Sequence, residues 1–115
     1  DKDGEHLAST ELFDLDSKTF SPGPKMESER DGCAAAVLKD GRVVAVGGYN
    51  GTTLSTSEVL SPASNTWSPG PNMTSGRSGC VALPLSSSRI LVIGGSNFSV
   101  RSYHSTTEII DLADG

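Results

Sequence analysis

Aromatic side chains are scarce in this sequence: three Phe, two Tyr and one Trp make up 5% of its 115 residues. With so few, each is expected to hold a fixed place in packing or recognition. Basic residues are also in short supply, nine against fourteen acidic, and the net charge of -5 repels phosphate backbones and offers no basic stripe for nucleic acid. No apolar run approaches the roughly 20 residues that span a bilayer, and "DKDGEHLAST" at the start lacks the basic and apolar parts of a leader. No nucleic-acid partner and no membrane span are therefore expected. Apolar residues at helical spacing are missing as well, whereas thirteen Gly and six Pro punctuate the chain, which predicts many short strands joined by turns.

What is there is a repeat. Residues 19–48, "TFSPGPKMESERDGCAAAVLKDGRVVAVGG", align without a gap on 66–95, "TWSPGPNMTSGRSGCVALPLSSSRILVIGG". The offset is 47 residues: it carries Phe20 to Trp67, Met26 to Met73, Arg30 to Arg77, Cys33 to Cys80 and Gly47-Gly48 to Gly94-Gly95. A second phrase occurs three times, "STELFDL" at 9–15, "TSEVLSP" at 56–62 and "TTEIIDL" at 106–112, with Glu11, Glu58 and Glu108 in the same place.

Each repeat reads as four strands. Strand a is "CAAAVL" or "CVALPL", and strand b is "RVVAVGG" or "RILVIGG", apolar throughout and so expected to be buried on both faces. Strand c is the Glu-led phrase, and strand d is the short "TF" or "TW" before a proline that suits an outer edge. Lys39-Asp40-Gly41 predicts a tight a–b hairpin. "SPGP" ends the edge strand and turns the chain inward. Phe20 and Trp67 are expected to pack in an outer layer, each contributing about 2–3 kcal/mol by burial. The glycine doublets are expected where strand b ends at a crowded hub.

A four-stranded unit of 47 residues ending strand b in a glycine doublet resembles the Kelch repeat family, on Gly47-Gly48, Gly94-Gly95, the glutamates of strand c, Trp67 with Phe20 in its place in the earlier copy, and Arg30 and Arg77 ahead of strand a. Strand c departs from it mildly, with Phe13, Leu60 and Ile110 where the family often has tyrosine, and Pro84 sits late in an inner strand. The resemblance covers nearly the whole chain and implies an all-β, partial Kelch-type propeller of four-stranded antiparallel blades, not closed by this chain alone. The expected divisions are 1–30 (outer strands c and d of an incomplete blade), 31–77 (a complete blade) and 78–115 (strands a, b and c). Because propellers need about four to eight blades to close, the chain is expected to be a portion of a longer propeller, with further blades or neighbouring subunits as partners.

Candidate chemistry is sparse. Cys33 and Cys80, at matching entries to strand a, read as small buried thiols rather than a disulfide. His6 and His104 stand in different loops without a second ligand at metal spacing, so no metal, cofactor or catalytic residue is expected. Some Kelch oxidases hold copper, but their cysteine-tyrosine-histidine set is absent here. Recognition is expected in loops, which vary at little cost to packing. The b–c loops offer Tyr49 and Asn50 in one copy and Phe98, Arg101, Tyr103 and His104 in the longer second copy. Arg30 and Arg77 have two readings, contact with an acidic peptide at the channel rim or pairing with a strand c glutamate of their own or a neighbouring blade. The expectation is a non-catalytic protein-interaction module for a protein or peptide partner, against an enzyme with its active residues outside this segment or a structural subunit. Two unpaired thiols favour a cytoplasmic setting, while sequons at Asn50, Asn72 and Asn97 suit a secretory one, and the sequence leaves both open.

Overall fold

A computed structural model describes residues 6–112. Every regular element in it is a strand, and every pairing is antiparallel. The first sheet pairs β1 (Glu11–Asp14) with β2 (Thr19–Pro22). The second is four-stranded, in the order β3 (Ala34–Val37), β4 (Val43–Val46), β5 (Ser57–Ser61) and β6 (Thr66–Pro69). The third places β8 (Arg89–Ile93) between β7 (Val81–Pro84) and β11 (Thr107–Asp111). These are the c–d, a–b–c–d and a–b–c strands of successive propeller blades. Pro84 falls on the edge strand β7, where a missing donor is tolerated. A small hairpin, β9 (Ser96–Asn97) with β10 (Ser102–Tyr103), was not legible as strands and fills the longer b–c loop.

The repeat reproduces the bond that closes its c–d turns. Between strands c and d, Lys18 N–H donates to the Asp14 carbonyl at 2.7 Å and Asn65 N–H to that of Ser61 at 2.8 Å, with Lys18 and Asn65 both at positive φ. Between strands a and b, Leu38 N–H donates to the Arg42 carbonyl at 2.8 Å, and only Gly41, at φ +92°, takes the left-handed conformation the turn requires.

The core lies between the second and third sheets. Alternation sends Ala34, Ala36, Val44, Val46 and Val59 to one face, where they meet Ile90, Val92 and Ile110. The small alanines on one side accommodate the branched side chains on the other, and Met73 from the d–a loop seals the contact. A smaller cluster of Ala8, Met26 and Ala45, with Trp67 against it, joins the first sheet to the second.

Burial corrects the expectation for strand b. In β4, Val44, Ala45 and Val46 are buried, so both faces are covered. In β8 only Ile90 and Val92 are; Ile93 is 37% exposed and Leu91 half-buried. The physical reason is that no further sheet among the described residues lies over the face carrying Val81, Leu83, Leu91, Ile93 and Ile109. Phe20 also departs from expectation. It is 68% exposed and touches Phe13, their ring centroids 4.8 Å apart, because no further sheet among the described residues covers it. Trp67, by contrast, has a neighbouring blade, and its Nε1–H donates to the Pro24 carbonyl at 2.9 Å.

Candidate functional site

The repeated "SPGP" phrase is tied to the start of strand c of the same blade. Gly23 N–H donates to the Thr10 carbonyl and the Thr10 hydroxyl to the Pro24 carbonyl, at 2.8 and 2.7 Å. One repeat later, Gly70 and Ser57 do the same with Ser57 and Pro71, at 2.9 and 2.6 Å. A Cβ on either glycine would press into the Thr10 or Ser57 hydroxyl, so the phrase keeps glycine there for close approach.

From that docking each d–a loop crosses to the following blade, and the contacts made there decide between the two readings of the arginines. Arg30 Nε donates to Glu58 Oε2 at 2.9 Å, and its fork reaches the Gly47 and Thr56 carbonyls, each at 3.0 Å. Arg77 repeats the set with Glu108 Oε2 at 3.0 Å, Gly94 at 2.8 Å and Thr106 at 3.0 Å. The two arginines are only 5% and 1% exposed. The peptide-contact reading of Arg30 and Arg77 is therefore corrected: their donors are spent between blades, each on the strand c glutamate of the blade that follows it in the chain. The glutamates are held in turn by the loops, Glu58 by the N–H groups of Glu27 and Ser28 and Glu108 by Thr74 and Ser75. Burial pushes the Glu108 carboxyl upward, but hydrogen bonds from Thr74 and the Arg77 guanidinium outweigh it and hold the group below its ordinary value. Glu11 is exposed and has no such partner among the described residues.

The glycine doublets sit at this junction. Gly47 and Gly48 have φ of +71° and +103°, Gly94 and Gly95 of +68° and +94°. A Cβ on Gly47 would collide with the Arg77 carbonyl, and one on Gly95 would lie 2.9 Å from the Ser78 carbonyl. The doublets thus let adjacent blades cross closely where the arginines insert.

The cysteines flank the same region. Both are free and half-buried, and burial raises each thiol's pKa. The Arg30 charge partly offsets the rise at Cys33, and the Arg77 charge does so at Cys80. Among the described residues no three of His, Cys, Asp and Glu come together as a metal site, and no helix is long and apolar enough to cross a membrane.

The other predicted loop residues meet at one end of the blades. Tyr49 pairs its backbone with Asp31 and lies edge-on between His6 and Phe98, at centroid distances of 5.2 and 5.8 Å. Asn50 is exposed beside it. The two b–c loops are sewn together: Phe98 N–H donates to the Thr53 hydroxyl at 2.9 Å, and Thr53 N–H to the Ser99 hydroxyl at 3.2 Å. His104 Nε2 donates to the Gly76 carbonyl at 2.9 Å, anchoring the base of the β9–β10 hairpin to a d–a loop. Tyr103 stands 90% exposed and Arg101 is exposed at the hairpin tip. Ser96, Asn97, Phe98, Arg101, Ser102 and Tyr103 line a cavity of about 240 Å³. Sequence reasoning missed His6 as part of this aromatic row, since nothing in its flanks places it beside Tyr49.

A four-stranded antiparallel sheet stacked on a three-stranded one, each closed by a glycine doublet and an inserted arginine, is the arrangement of a partial β-propeller. The family model described as the Kelch motif matches residues 32–74, the span of the second sheet and the turns on either side of it. No curated protein matches the chain.

Proposed function

We propose that this segment is a non-catalytic protein-interaction module whose b–c loops present a surface to a protein or peptide partner. One observation carries the reading: the β9–β10 hairpin exposes Phe98, Arg101 and Tyr103 while its backbone is pinned by Thr53 and its base by His104. Aromatic and arginine side chains on a fixed frame bind with little entropy loss, which is the make-up of interface hot spots. Tyr49 and Asn50 extend that surface onto the neighbouring blade.

The open apolar face of the third sheet supports a second kind of contact, with further blades or neighbouring subunits. The test of the loop reading is site-specific photocrosslinking from position 103 in the full protein. A discrete crosslinked partner, lost when Phe98 and Arg101 are both changed to Ala, is expected. A crosslinking pattern indifferent to those changes refutes it, and stoichiometric copper in the purified full protein favours an enzyme built on the same scaffold.

A further inference from the structure

The b–c loop of the second sheet carries the dipeptide Asn50-Gly51, and the chain has three further asparagines, Asn65, Asn72 and Asn97. An asparagine side chain is electrophilic at Cγ, and the backbone nitrogen of the next residue can reach that carbon and close a five-membered ring. Two things hold the reaction back in a folded protein: a hydrogen bond that occupies the nitrogen, and a side chain on the next residue that crowds the ring.

The four sites differ in both. Met73 N–H, after Asn72, donates to the Ser55 carbonyl at 2.7 Å, and Phe98 N–H, after Asn97, donates to the Thr53 hydroxyl at 2.9 Å. Asn97 is held further by its own Oδ1, which accepts from Ser99 N–H at 3.0 Å. Asn65 is followed by Thr66, a stiff β-branched residue inside β6 that pairs with Ser61. Gly51 alone brings no side chain, and its N–H has no hydrogen-bond partner among the described residues. Asn50 and Gly51 are both exposed, the Asn50 side chain is likewise unpartnered among the described residues, and nothing lies within 4 Å of where a Gly51 Cβ would stand. Nucleophile and electrophile are therefore both open in the native loop.

We propose that Asn50 is a self-modifying site that converts to aspartate and isoaspartate through a cyclic imide. The Gly51 nitrogen, on losing its proton to hydroxide, bonds to Asn50 Cγ, and the Cγ–Nδ2 bond breaks to release ammonia. Water then opens the ring. Attack at Cγ restores the normal backbone with a side-chain carboxylate, whereas attack at the main-chain carbonyl carbon leaves the chain running through Cγ as isoaspartate. Either way one water is consumed and one ammonia released, with no oxidant, metal or enzyme required. Neither b–c loop, 47–56 or 94–106, contains an acidic residue, so conversion places the first carboxylate there, next to Tyr49. Isoaspartate also lengthens by one carbon the turn that the Tyr49–Thr53 bridge closes. Its carboxylate is the chemical class taken by carboxyl methyltransferases that use S-adenosylmethionine. This chemistry stands whether or not the loops bind a partner.

The test holds the full protein at mildly alkaline pH and physiological temperature and follows two tryptic peptides by fragment mass spectrometry. Peptide 43–77 contains Asn50, Asn65 and Asn72, and peptide 90–101 contains Asn97. Conversion is expected at Asn50 alone, about as fast in the native protein as in the guanidinium-unfolded chain, and faster as pH rises. Isoaspartate should exceed aspartate, and an isoaspartyl methyltransferase should transfer its methyl label to peptide 43–77. Gly51→Ala is expected to slow conversion about tenfold, equivalent to about 1.4 kcal/mol on the barrier, and Asn50→Gln to abolish the label in that peptide. Protection of Asn50 until the chain is unfolded, native conversion led by another asparagine, or aspartate formed without isoaspartate overturns the inference.

Discussion

Arg77→Met in the full protein isolates the energetics of the blade junction. The substitution keeps apolar length but removes four hydrogen bonds, to Glu108, the Gly94 carbonyl, and the carbonyl and hydroxyl of Thr106. The side chain of Arg77 is 1% exposed and that of Glu108 13%, so water cannot fully replace what is lost. Removing one partner of a buried ion pair costs about 3–5 kcal/mol. Glu108 retains Thr74 and Ser75 as donors, which places this site near the lower end, about 3 kcal/mol. Against a total stability of roughly 5–15 kcal/mol for a domain, that is a large fraction. The assay is urea denaturation with Glu108→Gln and the double variant completing the cycle; a coupling of about 1.5–3 kcal/mol is expected. The second copy, Arg30 with Glu58, is a control of matched geometry and should couple at least as strongly, since Glu58 is 3% exposed. Losses that add within about 0.5 kcal/mol in both cycles refute the view that these pairs lock the loops to strand c.

Gly47→Val forces a Cβ at φ +71° into the Arg77 carbonyl and should cost more than about 3 kcal/mol, whereas Gly51→Ala, at φ +113° with open space around it, should cost about 1; thermal melts of the two compare collision with backbone strain alone. Glu108 has a folded pKa below its ordinary 4.5, so its contribution is complete above that value and is lost as pH falls through the folded pKa; denaturation midpoints should drop on acidification below about pH 4.5, less steeply in Glu108→Gln. Trp67→Phe, which loses the bond to the Pro24 carbonyl, should destabilise by about 1 kcal/mol, while Phe20→Leu at its exposed counterpart should stay within about 0.5. Burial raises the pKa of Cys33 and Cys80, so both thiols should react slowly with a disulfide reagent in the native protein at neutral pH and rapidly in denaturant, as a thiol count over time will read.

The strand order was legible in the sequence because the 47-residue offset aligns two copies that share one geometry, and the structure repeats even single hydrogen bonds at that spacing. The arginines were legible only as alternatives. Spacing places Arg77 at a fixed phase, but which glutamate it meets depends on how the d–a loop folds back, a three-dimensional fact that the Gly70–Ser57 docking decides. Burial was the least legible property. Phe20 and Trp67 are equivalent in sequence and differ only in whether a sheet lies beside them, which local pattern does not encode. The β9–β10 hairpin escaped notice because two-residue strands have no periodicity to read.

The outward face of the third sheet is bulkier than its counterpart one repeat earlier: Val81, Leu83, Leu91, Ile93 and Ile109 stand where Ala34, Ala36, Val44, Val46 and Val59 are. Opposed sheets sit about 10 Å apart, and that gap holds a nearly constant volume of side chain. A layer seated on this face would therefore have to be lined by small residues where β8 presents isoleucine and valine to the second sheet. The order in which blades can neighbour one another is in this way written into side-chain size, and a copy of the third sheet could not be stacked upon itself.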